Sequence, residues 1–148
     1  MTAAVGPVAG TKIYIGNTSS SISPDDTNFV EIGDVNNLGD LSLQFAQVRI
    51  ESIGSGYSYS LKGTQEAPNL DLLLNRNDSD AGQIALKNAS AAARGTLYNF
   101  KIVETDGGTA YWRGEVFGYG TSYGSVNDVR RVKTSVSVRP STLVVNLY

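Results

Sequence analysis

The feature that most constrains this chain is an alternation of apolar and polar residues with a period of two. It recurs in short runs along most of the 148 residues. A period of two places every second side chain on one face of a strand. The clearest run is Asn69–Asn75, with Leu70, Leu72 and Leu74 in phase. Others are Thr11–Gly16, Asn28–Val35, Leu41–Glu51, Tyr57–Gly63, Leu97–Glu104, Thr109–Thr121, Asp128–Arg139 and Thr142–Leu147. Clusters of Asn, Asp, Ser and Gly separate them, as turns require. Eight or nine short strands on this spacing predict an antiparallel sandwich or barrel.

Two interruptions carry information. Within Leu41–Glu51 the apolar positions change phase, from Leu41, Leu43 and Phe45 to Val48 and Ile50. A phase change inside a strand predicts a bulge or bend. Between Asn77 and Arg94 the period changes to that of a helix, through Ala81, Ile84, Ala85, Ala89 and Ala92. Asn77-Asp78-Ser79-Asp80 supplies N-cap oxygens, and Arg94-Gly95 supplies a last-turn cation and a stop. The apolar stripe is thin, so this helix is expected to pack on a sheet edge. Asp106-Gly107-Gly108 reads as a tight hairpin turn, because glycine accepts positive φ.

Composition narrows the chemistry. The chain has no cysteine and no histidine. Disulfides, thiolate metal sites and thiol nucleophiles are therefore unavailable, as is every mechanism that needs an imidazole. The remaining carboxylate pairs are Asp25-Asp26, Asp78-x-Asp80, and Glu104 with Asp106. Each has a simpler reading as turn or cap chemistry. Asp78-x-Asp80 does not open a calcium loop, since the sixth and twelfth positions are Gln83 and Ala89. Gly114, Gly118 and Gly120 lie in a strand and open no helix, so they are not a dinucleotide fingerprint. No catalysis and no cofactor are expected.

Net charge is −2, and only 18% of residues are charged. Residues 1–80 hold ten acids and four bases, a net of −6; residues 81–148 hold four acids and eight bases, a net of +4. Such asymmetry suits head-to-tail self-association, unless both halves interleave and the charges mix on one surface. Arg130, Arg131 and Lys133 form the one basic cluster. Three cations are slight grounds for nucleic-acid binding. No apolar run approaches the ~20 residues of a membrane-spanning helix, and no membrane partner is expected. The opening MTAAVGPVAGTK lacks the basic and long apolar regions of a signal peptide.

In order and spacing these segments resemble the major tail tube proteins of long-tailed, non-contractile phages. The likeness runs from TKIYIG, through EIGDV and VRIES, to YSYSLKGTQEAPNLDLLLNRNDSDAGQIAL. It continues in LYNFKIVETDGGTAYWRGEVFGYG and closes in DVRRVKTSVSV. The resemblance implies an all-β sandwich or half-barrel with one flanking α-helix over about residues 79–94. It implies an N-terminal arm over 1–10, a domain over 11–140 with a long loop about 38–63, and a C-terminal tail over 141–148. Six copies would close into a ring, and rings would stack around a lumen that conducts the genome. Partners would be the chain itself, a tape-measure protein and a tail terminator. The setting would be the virion tail, after assembly in the host cytoplasm. DNA would pass without specific binding, which a wall of low positive charge permits.

Strand alternation then assigns Ser42, Gln44 and Asp71 to the lumen face. The long loop, with Asp40, Glu51, Ser52, Ile53, Gly54, Ser55, Gly56 and Tyr57, would reach a neighbouring subunit or ring. Arg130, Arg131 and Lys133 would lie at an interface or on the outside, opposite acids such as Asp40 or Glu51. Two other readings are a tail terminator or related ring component, which caps a tube, and a monomeric carbohydrate-binding sandwich. The last needs Tyr57, Tyr59, Tyr119 and Tyr123 on one concave face.

Overall fold

The chain forms two packed antiparallel sheets, a separate two-stranded ribbon and one helix, in a computed structural model that describes residues 5–20 and 28–146. The start of the arm, the Asp25-Asp26 turn and the last two residues lie outside the described residues. The five-stranded sheet joins β1 (Lys12–Ile15), β2 (Val30–Ile32), β7 (Tyr98–Val103), β8 (Thr109–Gly114) and β11 (Val144–Asn146), in the order β11-β8-β7-β1-β2. The four-stranded sheet joins β3 (Val35–Asn37), β6 (Leu70–Asn75), β9 (Val116–Ser122) and β10 (Arg131–Val136), in the order β3-β6-β10-β9. The ribbon pairs β4 (Gln44–Glu51) with β5 (Ser58–Glu66).

The predicted alternation supplies the core. Ile13, Ile15, Phe100 and Trp112 face inward from one sheet, and Leu70, Leu72, Leu74, Val132 and Val136 from the other. Phe100 and Trp112 stack at 5.6 Å between ring centroids, an aromatic pair at its favoured separation. Each sheet contains strands from both halves of the sequence. The acidic and basic halves therefore interleave in one body and do not form two.

Two predicted strands are each divided between the sheets. The run Asn28–Val35 becomes β2 in one sheet and β3 in the other, with Asp34 between them at φ 58. The run Thr109–Thr121 becomes β8 and β9, crossing at Glu115. There the Glu115 backbone N–H donates to Ser137 Oγ at 2.8 Å, and the Glu115 carbonyl accepts from Ser137 N–H at 2.9 Å. A side chain on Gly114 would meet the Ser137 backbone carbonyl, so the crossing needs glycine. Alternation cannot reveal this bend. Trp112, Gly114 and Val116 stay in phase and buried, because both sheets enclose one core.

The helix α1 runs Ala81–Ser90, shorter at both ends than the expected 79–94. It packs between edge strands β2 and β9, and Gly82 lies directly on the β2 backbone at Glu31 and Ile32. Its start is tied to the first crossing. Asp80 Oδ2 accepts from Gln83 N–H and Gly33 N–H, both at 3.0 Å. Gln83, buried to 1% exposure, accepts from Asn77 N–H at 2.9 Å and donates to the Gly33 and Asn75 carbonyls at 3.0 and 2.9 Å. One side chain thus joins the helix, the β2–β3 crossing and the end of β6.

Replacing Gln83 by Leu leaves three part-buried backbone hydrogen bonds unmade. We expect a loss of about 3 kcal/mol, given the ~1–3 kcal/mol cost of one unsatisfied buried group. The midpoint of urea unfolding, read by tryptophan fluorescence from Trp112, checks this.

Candidate assembly surfaces

The segment expected as a long loop over 38–63 is largely a β-ribbon. Its strands pair from Gln44–Glu66 to Glu51–Ser58, with a register shift between Phe45 and Gln47. The shift lies at the predicted phase change. Beyond it, one ribbon face carries Val48, Ile50, Tyr59 and Leu61 as cross-strand pairs. The other face carries Arg49, Glu51, Ser58, Ser60 and Lys62. There Arg49 Nε donates to Glu51 at 3.1 Å and its terminal nitrogen donates to Ser58 Oγ at 2.9 Å. Lys62 Nζ lies 5.0 Å over the Phe45 ring. The ribbon forms a sheet of its own. Its apolar face is uncovered, with Tyr59 56% and Leu61 51% exposed. Ser52, Ile53, Gly54, Ser55, Gly56 and Tyr57 make its exposed tip.

The outer face of the four-stranded sheet presents Asp71 from β6, Lys133 and Ser135 from β10, and Gly118 and Gly120 from β9. Registers place Asp71, Ser135 and Gly118 in one row, and Leu73, Lys133 and Gly120 in the next. A groove of about 840 Å³ crosses this face, edged by Asn37 and Phe117. A β-carbon on Gly118 or Gly120 would meet nothing within 4 Å, and neither residue has positive φ. Among the described residues nothing therefore requires glycine at either place.

Of the residues expected on the lumen, only Asp71 lies in this sheet. Ser42 precedes the ribbon and Gln44 opens it. Lys133, expected at an interface, shares the outer face with Asp71, and Arg131 lies on the same side, half-buried. Asp71 of the expected lumen set therefore shares one face with Arg131 and Lys133 of the expected basic set. Arg130 stands just outside the strand and is exposed. Asp40 lies between β3 and the ribbon, and Glu51 ends β4. The four tyrosines do not share a concave face. Tyr57 and Tyr59 belong to the ribbon. Tyr119 is half-buried in β9, with its phenol pushed up by burial, and Tyr123 is exposed beyond β9.

Three of the candidate carboxylates have structural partners, and Asp25-Asp26 lies outside the described residues. Asp78 pairs with Arg76 at 2.9 Å and Asp80 caps the helix. Asp106 accepts from Gly108 N–H at 3.0 Å in the β7–β8 turn. Sequence reasoning missed the β9–β10 connection as a surface. Tyr123, Val126 and Val129 all project there, and Val126 is 99% exposed. Asp128 Oδ2 holds the turn by accepting from Ser125 N–H at 2.8 Å and Ser125 Oγ at 3.0 Å.

No family model matches the chain, and no curated protein matches it in sequence. Solved structures match it in shape. A chain from the sheath/tube terminator of the PVC extracellular contractile injection system superposes with TM-score 0.72 at 12% identity, over 99% of this chain and 100% of that one. A chain from the anti-feeding prophage baseplate gives 0.72 at 10% identity, over 98% and 96%. A chain from the SPP1 tail tube gives 0.69 at 14% identity, over 96% and 80%. The all-β fold with one helix is the fold of these tube and injection-system chains.

Gly120→Ala is expected to leave subunit folding intact or raise its stability by up to about 1 kcal/mol, since alanine fits and restricts the unfolded chain. Thermal unfolding of the dissociated subunit measures this. The Ser125 N–H bond, with its hydroxyl, holds the Asp128 carboxyl below the usual carboxylate range. A depressed carboxylate contributes stability above its unfolded pKa and loses it as pH falls through the folded value. The Ser125 amide resonance should therefore titrate with a midpoint below that range, and Asp128→Ala should abolish the titration.

Proposed function

We propose that this chain is the structural subunit of a tail-type tube and carries no catalysis. The observation that carries the reading is likeness over at least 96% of this chain, and 80% to 100% of the other, to components of tubes and injection systems. Two features of the chain support it. Strands β3 and β9 end the four-stranded sheet with no further strand beside either among the described residues. Open edges of this kind invite pairing with another chain. Six copies joined edge to edge would merge these sheets into one continuous wall, with the outer face of the sheet turned to the bore.

That face suits a conduit. Its glycines and Ser135 are small and neutral. Asp71 stands diagonally across the β6–β10 pair from Lys133, close enough to offset its charge. Arg131, half-buried at the strand end, would border the bore at its rim. A bore without a strong cationic field does not retain a polyanion. In a long-tailed phage, the rings would stack around a tape-measure protein and the cargo would be the genome. A second reading, a ring that terminates a tube, is favoured by the likeness to a chain from a sheath/tube terminator, which is somewhat higher than that to the tail tube chain.

Electron microscopy of the concentrated protein separates the readings. A tube subunit gives stacked six-fold rings of unbounded length, and a terminator gives single rings. A protein that stays monomeric, with tail components added, sinks both. Charge pairing between copies predicts fewer assembled particles at about 0.5 M salt than at 0.05 M, where screening is much weaker.

A further inference from the structure

The outer face of the four-stranded sheet, turned to the bore in the tube reading, is not uniformly small and neutral. Phe117 stands on it with 57% of its surface exposed, in a strand that otherwise presents glycine there. The β9–β10 pairing places it. Gly118 lies opposite Ser135 and Val116 opposite Val136, so Phe117 is the extra residue of a bulge. A bulge re-aims side chains. Here Val116 stays in the core, and Phe117 joins Gly118 on the outer face. The bulge is held from below, where the buried Thr134 Oγ1 donates to the Gly118 carbonyl at 2.6 Å.

Phe117 walls the groove of about 840 Å³ on that face, a volume in the range of ligand sites. Leu73 lines it from β6, two strands away, which is about 10 Å at the usual strand spacing. Gly118, Gly120 and Ser135 make a floor almost free of side chains between them. Such a trough has about the width of one α-helix. The two charged residues that line it are Asp71 and Lys133, one of each sign. A polyanion meets no net cation there. An amphipathic helix brings apolar side chains for Leu73 and Phe117, and charges of both signs for Asp71 and Lys133. Apolar surface and charge therefore select the same occupant, recognised as a helix in a groove.

We propose that this groove seats the apolar face of a polypeptide helix carried in the bore, with Phe117 as the anchor. This rests on the tube reading and names a class of cargo that the wall would hold, where DNA would slide past.

The probe is a helical peptide of leucine, alanine, glutamate and lysine with no net charge, added to the dissociated subunit. It should shift the Gly118 and Gly120 amide resonances. Phe117→Ser, at an exposed position, should keep the unfolding midpoint and weaken peptide binding about tenfold, the effect of one large apolar side chain left uncovered. Phe117→Leu should restore most of the binding, and Gly120→Leu, which fills the floor, should abolish it. Exposed bases can also stack on a phenyl ring, so a single-stranded oligonucleotide is the second probe. An oligonucleotide that moves the two resonances as far as the peptide does overturns the proposal. Peptide binding that ignores Phe117→Ser and Gly120→Leu overturns it too. No shift with the peptide does the same; if Phe117→Ser then also stops rings from forming, a neighbouring copy covers the groove. Electron microscopy decides the tube reading separately. Rings without peptide binding sink the groove alone, and peptide binding without rings leaves the groove standing and removes the bore.

Discussion

The fold depends on leading one chain twice between two sheets without leaving buried backbone groups unpaired. At the first crossing, the Gln83 amide and the Asp80 carboxylate together serve five backbone groups: the N–H groups of Asn77, Gly33 and Gln83, and the carbonyls of Gly33 and Asn75. At the second crossing, Ser137 does the same with its hydroxyl and its backbone N–H. An unpaired group in either place would cost as much as a lost hydrogen bond. These polar joints let β2–β3 and β8–β9 wrap one core, and they leave β3 and β9 as strand edges. The surfaces from which a tube could be built are in this sense products of the crossings.

Much of this was legible in the sequence, and the reason is physical. Alternation reports which side of the backbone is dry. Leu70, Leu72 and Leu74, or Ile13 and Ile15, therefore identified the core directly. The phase change after Phe45 located the ribbon's register shift, because a bulge moves side chains to the other face. Asp80 as N-cap followed from residue type. The crossing at Glu115 was hidden, since Trp112, Gly114 and Val116 keep one inward parity; at Asp34 the parity slips between Ile32 and Val35, and the three residues of β3 are too few to show it. The full set of Gln83 partners was hidden too: a glutamine at a helical spacing reads as solvated until Gly33, 50 residues away, is brought beside it.

The candidate surfaces were legible only in part. Asp71 and Lys133 lie 62 positions apart, and no pattern within either strand shows that they share one face. Pairing between strands is set by the fold as a whole, and a slip of one residue would exchange the faces. That is why Ser42 and Gln44 were grouped with Asp71 although they belong to the ribbon root. The β9–β10 connection left a faint signal. Valines at 126 and 129 among Ser, Asn and Asp are unusual company for a turn, since turns favour residues that meet water.

The ribbon root and the β9–β10 connection lie at opposite ends of the four-stranded sheet, so the subunit has two unlike ends. Copies stacked head to tail along the strands would form a polar array. At one terminus such an array would present ribbons, and at the other the β9–β10 connections. A protein that starts such an array need recognise only one of these chemistries, and a protein that stops it only the other. The order in which components join could then be read from which surface is still bare.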